Sequence, residues 1–445
     1  MQISIYKQFW NYVIPTIAAM LVSGFYQVVD GIFIGRYVGA DGLAGINVAW
    51  PVIGTILGLG MLVGVGSGAL ISIRQGEGDH LGANHILTTG LILLVVLSPA
   101  VSGLLYLFGG DFLAWQGAKG RLFELGEQYL SILTGACVFT LGSIAMPFLI
   151  RNDDSPTVAT LLMVIGAVVN IALDYLMIAV WGWELKGAAI ATAIAQAVVT
   201  LLGVAYFCSP SAKLKLNNLR FNWGVIPQIF SIGTSSFFMY AYGSMMVALH
   251  NSLFTQYGDA LTIGAYAILS YIVTVYYLTV EGVANGMQPL VSFNHGARNQ
   301  TNIGKLLNIS MVTSISIGIG FTLLLNIFPH EFVTVFNSSD NQLLERTVLG
   351  IRLHMFALFL DGFLVVAAAY YQATNKGSKA MFVTLGNLLI QLPFLFIMPK
   401  LFGVPGIWLA YPLSNIALGV IVAVMLIKDV RHSMRIDEPI ITTQY

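Results

Sequence analysis

The chain has 445 residues, 57% of them hydrophobic and only 9% charged, with 20 basic and 20 acidic side chains. Such an apolar share exceeds that of a soluble domain, and a net charge of zero with scattered basic residues offers no face for nucleic acid. What remains is an integral membrane protein.

A span needs about 20 apolar residues, and the chain divides into twelve such stretches: 9–36, 44–73, 85–108, 122–150, 156–181, 186–208, 226–256, 262–292, 304–328, 346–373, 378–400 and 404–428. The predicted fold class is an all-α polytopic membrane protein, six spans to a lobe. The predicted organisation is an amino-terminal lobe over 1–208, a linker over 209–225, a carboxy-terminal lobe over 226–428 and a tail over 429–445.

Span 1 carries Pro15 and Asp30 and lacks a small-residue cleavage pattern, so it reads as retained rather than as a signal peptide. Glycines 31, 35 and 39, and in span 2 glycines 60, 64 and 68, recur at every fourth position, the spacing of closely packed helices. Span 5 places Asn170 and Asp174 four apart on one helix face, and span 6 brings in Thr192. Spans 7 and 8 are dense in Met and aromatic residues, a soft surface suited to flat organic cations, with Tyr271 and Met287 the named candidates for a substrate cavity. Span 8 also holds Glu281, and span 10 holds Asp361. Arg36, His250 and His295 are expected at solvated helix ends. Cys137 and Cys208 read as buried thiols.

Sliding the chain by 220 residues lays Gly66–Asp79 on Gly286–Asn299, and by 219 lays Gly187–Ala191 on Gly406–Ala410. With six spans per half, the repeat implies a pseudo-twofold axis along the membrane normal. Thirteen of the 20 Lys and Arg fall on the side that holds both termini, which the positive-inside rule makes cytoplasmic. No Walker sequence, Gly-x-Ser-x-Gly elbow or His-Glu-x-x-His motif is present, so ATP-driven and common hydrolytic mechanisms lose their residues, and no enzyme activity or cofactor is expected.

A carboxylate in hydrocarbon costs about 2.5–3.5 kcal/mol even on lenient scales, so intramembrane acids mark function. At about 1.5 Å per residue, Asp174 and Asp30 lie roughly 27 Å and roughly 31 Å along their helices from the same side. Spans 1, 5 and 6 can therefore gather Asp30, Asn170, Asp174 and Thr192 at one level. Two uses are open: carboxylates in a dry pocket repel, so one can hold a proton near neutrality, and the same hard oxygens can hold Na⁺.

The segment Arg151-Asn152-Asp153-Asp154-Ser155-Pro156, then Asn170-Ile171-Ala172-Leu173-Asp174, then Gly187-Ala188-Ala189-Ile190-Ala191-Thr192, resembles the signature of the multidrug and toxic compound extrusion (MATE) family. Asp154 stands where that family more usually has Gly. Val29-Asp30-Gly31-Ile32-Phe33-Ile34-Gly35-Arg36 and Tyr371-Gln372-Ala373-Thr374-Asn375-Lys376-Gly377 are similar to its first and tenth helices. The resemblance implies export of amphipathic, often cationic small molecules in exchange for H⁺ or Na⁺ by alternating access. It assigns cation coupling to Asp30, Asn170, Asp174 and Thr192, a conformational bend to Pro15, and a second polar site to Asp361, with Glu281 as a further candidate. A monomer in the lipid bilayer of a bacterial inner membrane, both termini cytoplasmic, is expected. The alternatives are a flippase for a lipid-linked amphiphile of the same superfamily and a non-coupled channel.

Overall fold

The computed structural model describes residues 4–115, 118–216, 220–334 and 341–436, so residues 217–219 of the predicted linker and the predicted tail beyond 436 lie outside the described residues. In chain order the helices are α1 (Ile5–Tyr37), α2 (Ala40–Gly76), α3 (His80–Trp115), α4 (Arg121–Gly135), α5 (Cys137–Asn152) and α6 (Pro156–Asp174). A π-helical turn (Tyr175–Val180) extends α6 and is followed by α7 (Glu184–Cys208). The second half holds α8 (Ile226–Tyr257), α9 (Ala260–Gly296), α10 (Gln300–Ile327), the short α11 (Pro329–Thr334), α12 (Asn341–His354), α13 (Leu358–Ala373), α14 (Gly377–Phe402) and α15 (Val404–Ile436).

Nine of these are single helices long and apolar enough to cross a membrane: α1, α2, α3, α6 with its π turn, α7, α9, α10, α14 and α15. Two more spans are bent pairs, α4 with α5 at 66° and α12 with α13 at 52°. The twelfth is α8, with 32 residues and no Asp, Glu, Lys or Arg among them. The protein is thus an all-α polytopic membrane protein with six spans in each half. Spans 4 and 10, expected as continuous stretches, are broken. Hydropathy reads composition and not direction, and α4 ends at Gly135, a residue that lowers the cost of leaving the helix.

The repeat is legible in the elements themselves. Helices α2 and α9 are both 37 residues long and begin 220 apart, and α5 and α13 are both 16 residues long and begin 221 apart. Left-handed backbone recurs at matching places: Gly78 and Arg298 (φ 81° and 55°), Asp154 and Asn375 (63° and 56°), and Glu184 and Gly403 (50° and 63°). Each pair closes a turn between the same two spans of its half. At Arg298 and Glu184 the turn geometry therefore persists without the glycine that favours it.

Two compact units make up the chain, one of residues 14–244 and one of residues 1–13 with 245–445. Their boundaries fall inside α1 and α8. In the first unit α2 is the packing axis: a Cβ on Gly60 would lie 3.1 Å from the Leu141 carbonyl, one on Gly64 2.8 Å from the Ala145 Cα, and one on Gly68 2.5 Å from the Asn152 amide, all on α5. The glycine spacing of span 2 is close helix packing as expected. In span 1 it holds at Gly35 alone, where a Cβ would lie 3.2 Å from Leu43 of α2, because a Cβ on Gly31 would meet nothing within 4 Å and Gly39 lies in the turn after α1 at φ 88°. In the second unit a Cβ on Gly286 would lie 2.8 Å from the Cα of Val13, which shows how tightly the first turns of α1 pack on α9.

The Asp153 carboxylate, just past α5, anchors the start of the linker. It accepts from the backbone N–H of Lys213 and of Leu214, each at 2.9 Å, and from the Tyr206 hydroxyl at 2.8 Å. Burial pushes the Asp153 carboxyl up from its ordinary range, against the pull of those donors and of Lys213. Asn84 on α3 accepts from the Lys215 backbone N–H at 2.9 Å.

Candidate functional site

Within the unit of residues 14–244, α1, α6 and α7 bring the predicted residues together. Asp174 closes α6 where the π-helical turn begins, and Asn170 lies one turn earlier on the same face. Their side chains are 0% and 1% exposed. The half-buried Asp30 on α1 presents its carboxyl within hydrogen-bonding reach of Asp174. The Asn170 Nδ2 donates to the Thr192 Oγ1 of α7 at 3.4 Å.

The remaining valences of this cluster decide its chemistry. Both Asp174 oxygens, Oδ1 of Asp30 and Oδ1 of Asn170 are buried and receive no hydrogen bond from the protein. Four oxygens without a donor, three of them on the two carboxyl groups, form an acceptor-only pocket. Two ionised carboxylates cannot hydrogen-bond each other, whereas one proton between them converts repulsion into a bond. A small hard cation would be served by the same oxygens.

Tyr129 on α4 completes the cluster, although nothing in its sequence context marks it. It is buried, its hydroxyl reaches Thr192, and its ring stands near enough to Asp30 and Asp174 for their charges to act on it. Tyr26 lies one turn before Asp30 on α1. Pro15 lies well away along α1, where its carbonyl accepts from the Thr160 hydroxyl of α6 at 2.9 Å. The helix continues through it.

A second polar cluster lies in the other unit on different helices. Asp361, near the start of α13, is buried; Asn415 of α15 donates to it at 2.8 Å and the Tyr277 hydroxyl of α9 at 3.4 Å. The Tyr411 hydroxyl of α15 contacts Asp361 and Tyr277 as well. Glu281 follows Tyr277 by one turn on α9 and is half-buried. Met287 is fully buried and Tyr271 is 64% exposed, so their packing environments differ sharply. His250, expected in solvent at a helix end, is instead 2% exposed. It faces inward from α8 among Phe254, Tyr266 and His354, and the distance of a residue from its helix end says nothing about which face it occupies.

The family model MatE matches residues 15–176 and 235–397 of the chain. The multidrug export protein MepA of Staphylococcus aureus (strain MSSA476) is 27% identical over 440 residues, spanning 96% of this chain and 94% of that protein. Among solved structures, the MATE multidrug transporter DinF-BH is 28% identical with a TM-score of 0.88, covering 95% of both chains. A crystal structure of MATE superimposes with a TM-score of 0.92 at 20% identity over 98% of both chains.

Proposed function

We propose that this chain, which belongs to the MatE family of transporters, is a multidrug exporter that moves amphipathic, often cationic small molecules in exchange for H⁺ or Na⁺. The multidrug names of MepA and DinF-BH support the substrate class. The observation that carries the coupling is the acceptor-only pocket: Asp30, Asp174 and Asn170 present four buried oxygens with no donor. A monovalent cation relieves their repulsion, and its loss restores it. The pocket thus stores a free-energy difference between loaded and unloaded states, and that difference drives a conformational cycle if the two states of alternating access bind the cation unequally.

In this cycle Asp30 and Asp174 hold the cation, Asn170 and Thr192 orient the second carboxyl and supply neutral oxygens, and Pro15 weakens α1 by removing one helical hydrogen bond. Asp361 serves as a secondary polar site with Glu281 nearby. The protein works as a monomer in a bacterial inner membrane with both termini cytoplasmic, the orientation favoured by thirteen Lys and Arg against seven.

Efflux from proteoliposomes under separately imposed proton and sodium gradients tests the proposal. Export of a fluorescent organic cation driven by one gradient, and abolished in Asp30→Asn, is the expected result. Equal rates with no gradient would instead mark a passive channel.

A further inference from the structure

His250 on α8 and His354, the last residue of α12, are 2% and 5% exposed, and their rings meet edge to face with centroids 5.8 Å apart. The Nδ1 of His250 lies 2.8 Å from the Met246 carbonyl, and that of His354 2.8 Å from the Trp408 carbonyl. A carbonyl only accepts, so each Nδ1 carries the hydrogen, and each neutral ring is left with a bare lone pair on Nε2. The His250 Nε2 is buried and meets no hydrogen-bond partner.

Each ring also lies flat on a tyrosine. His250 stacks on Tyr266 at 5.1 Å and 10°, and His354 on Tyr411 at 4.7 Å and 22°. The Trp408 ring stands edge-on to His354 at 5.6 Å. An aromatic face within about 6 Å is the setting that holds a cationic ring. Among the described residues, the titratable groups that face the pair are the two imidazoles themselves, Tyr266 on α9 and Tyr411 on α15, with Asp361 of α13 reached through the Tyr411 hydroxyl. The Asp259–Arg346 ion pair, between the start of α9 and α12, is closed on itself at 3.2 Å, and Arg352 of α12 is exposed.

We propose that His250 and His354 form a proton-binding site, in which one proton from bulk water bonds to one of the two Nε2 lone pairs and the charged ring rests on the face of its tyrosine, Tyr266 or Tyr411. Two protons would set like charges side by side, so the pair takes one. The site heads a column that continues through the hydroxyls of Tyr411 and Tyr277 to Asp361. Its use in transport rests on the ion-coupled reading above, whereas the binding itself rests on this geometry.

Tryptophan emission tests it, because a protonated imidazole in contact with an indole quenches the indole. The full chain in detergent is titrated from about pH 8 to about pH 3, through and below the range where a solvated imidazole changes charge, alongside Trp408→Phe, His354→Gln, His250→Gln and Asp30→Asn. The expected result is a one-proton quenching transition that is lost in Trp408→Phe and in His354→Gln, displaced in His250→Gln and retained in Asp30→Asn. A transition unchanged by His354→Gln, or a parent curve identical to that of Trp408→Phe, overturns the proposal. Where a variant does not fold, site-resolved histidine C2-hydrogen exchange on the unaltered protein decides: linked titration of His250 and His354 supports the site, and pH-independent rates at both overturn it. Failure of the transport reading would look different, with no ion-driven efflux while this titration remains intact.

Discussion

At the scale of single residues, the two carboxyl clusters differ in what surrounds them. Asp361 is met by an amide and two phenols, all of them able to donate, whereas both Asp174 oxygens and Oδ1 of Asp30 meet no donor. Donors stabilise a carboxylate where it is, and their absence leaves the carboxylate pair dependent on a cation. Asp30→Asn and Asp174→Asn should therefore each lower ion-driven efflux by at least about tenfold, equivalent to 1.4 kcal/mol, at unchanged membrane abundance. Tyr129→Phe removes only the hydroxyl that reaches Thr192, a loss of ~0.5–1 kcal/mol. Its efflux rate should fall by about two- to fivefold in the same vesicles. If Tyr129→Phe is as inactive as Asp174→Asn, the phenol belongs among the cation-holding groups.

Helix packing and helix ends supply the next scale. Gly64 sits where α2 presses on α5, and the Cβ of an alanine there would stand 2.8 Å from a backbone carbon that cannot turn aside. Gly64→Ala should cost about 1–3 kcal/mol and appear as a lowered midpoint in a thermal unfolding assay, whereas Gly31→Ala, in open space, should not. Asp153 holds the linker by two backbone N–H groups, so Asp153→Ala should free it, and trypsin should cut after Lys213 or Lys215 much faster than in the parent. At the start of α9, Asp259 accepts from the Thr262 N–H and hydroxyl at 2.9 and 2.7 Å, which together with Arg346 hold its carboxyl below the usual range. A depressed carboxyl contributes stability above its unfolded pKa and loses it as pH falls through the folded one. The thermal difference between the parent and Asp259→Asn should accordingly be present at neutral pH and shrink on acidification.

For the whole molecule, the repeat matches helix lengths at α2 and α9 and at α5 and α13 yet is unequal in chemistry. The first half places its acids on α1 and α6, with partners on α4 and α7; the second places Asp361 on α13, with partners on α9 and α15, and Glu281 on α9. Gln391, 221 residues after Asn170, and Leu395, 221 after Asp174, carry no charge onto the matching helix. Coupling should therefore be concentrated in residues 14–244, and Asp361→Asn should retain more ion-driven efflux than Asp30→Asn when both are normalised to surface expression. An inactive Asp361→Asn beside an active Asp30→Asn would invert the assignment.

Hydropathy, the 220-residue repeat and the exclusion of enzyme motifs follow from the sequence by itself, since each depends on composition or spacing along one chain. So does the matched depth of Asp30 and Asp174, because a helix of known rise converts position into depth. Direction around and between helices does not follow. The breaks of 66° and 52° in two spans, Tyr129 as a partner of Thr192, the open surroundings of Gly31 and the inward face of His250 were decided by the tertiary structure alone. The physical reason is that, in a chain this apolar, core-facing and lipid-facing residues have the same composition. The face a side chain occupies is then set by which neighbouring helix offers a partner or leaves room, and that is a property of the packed molecule.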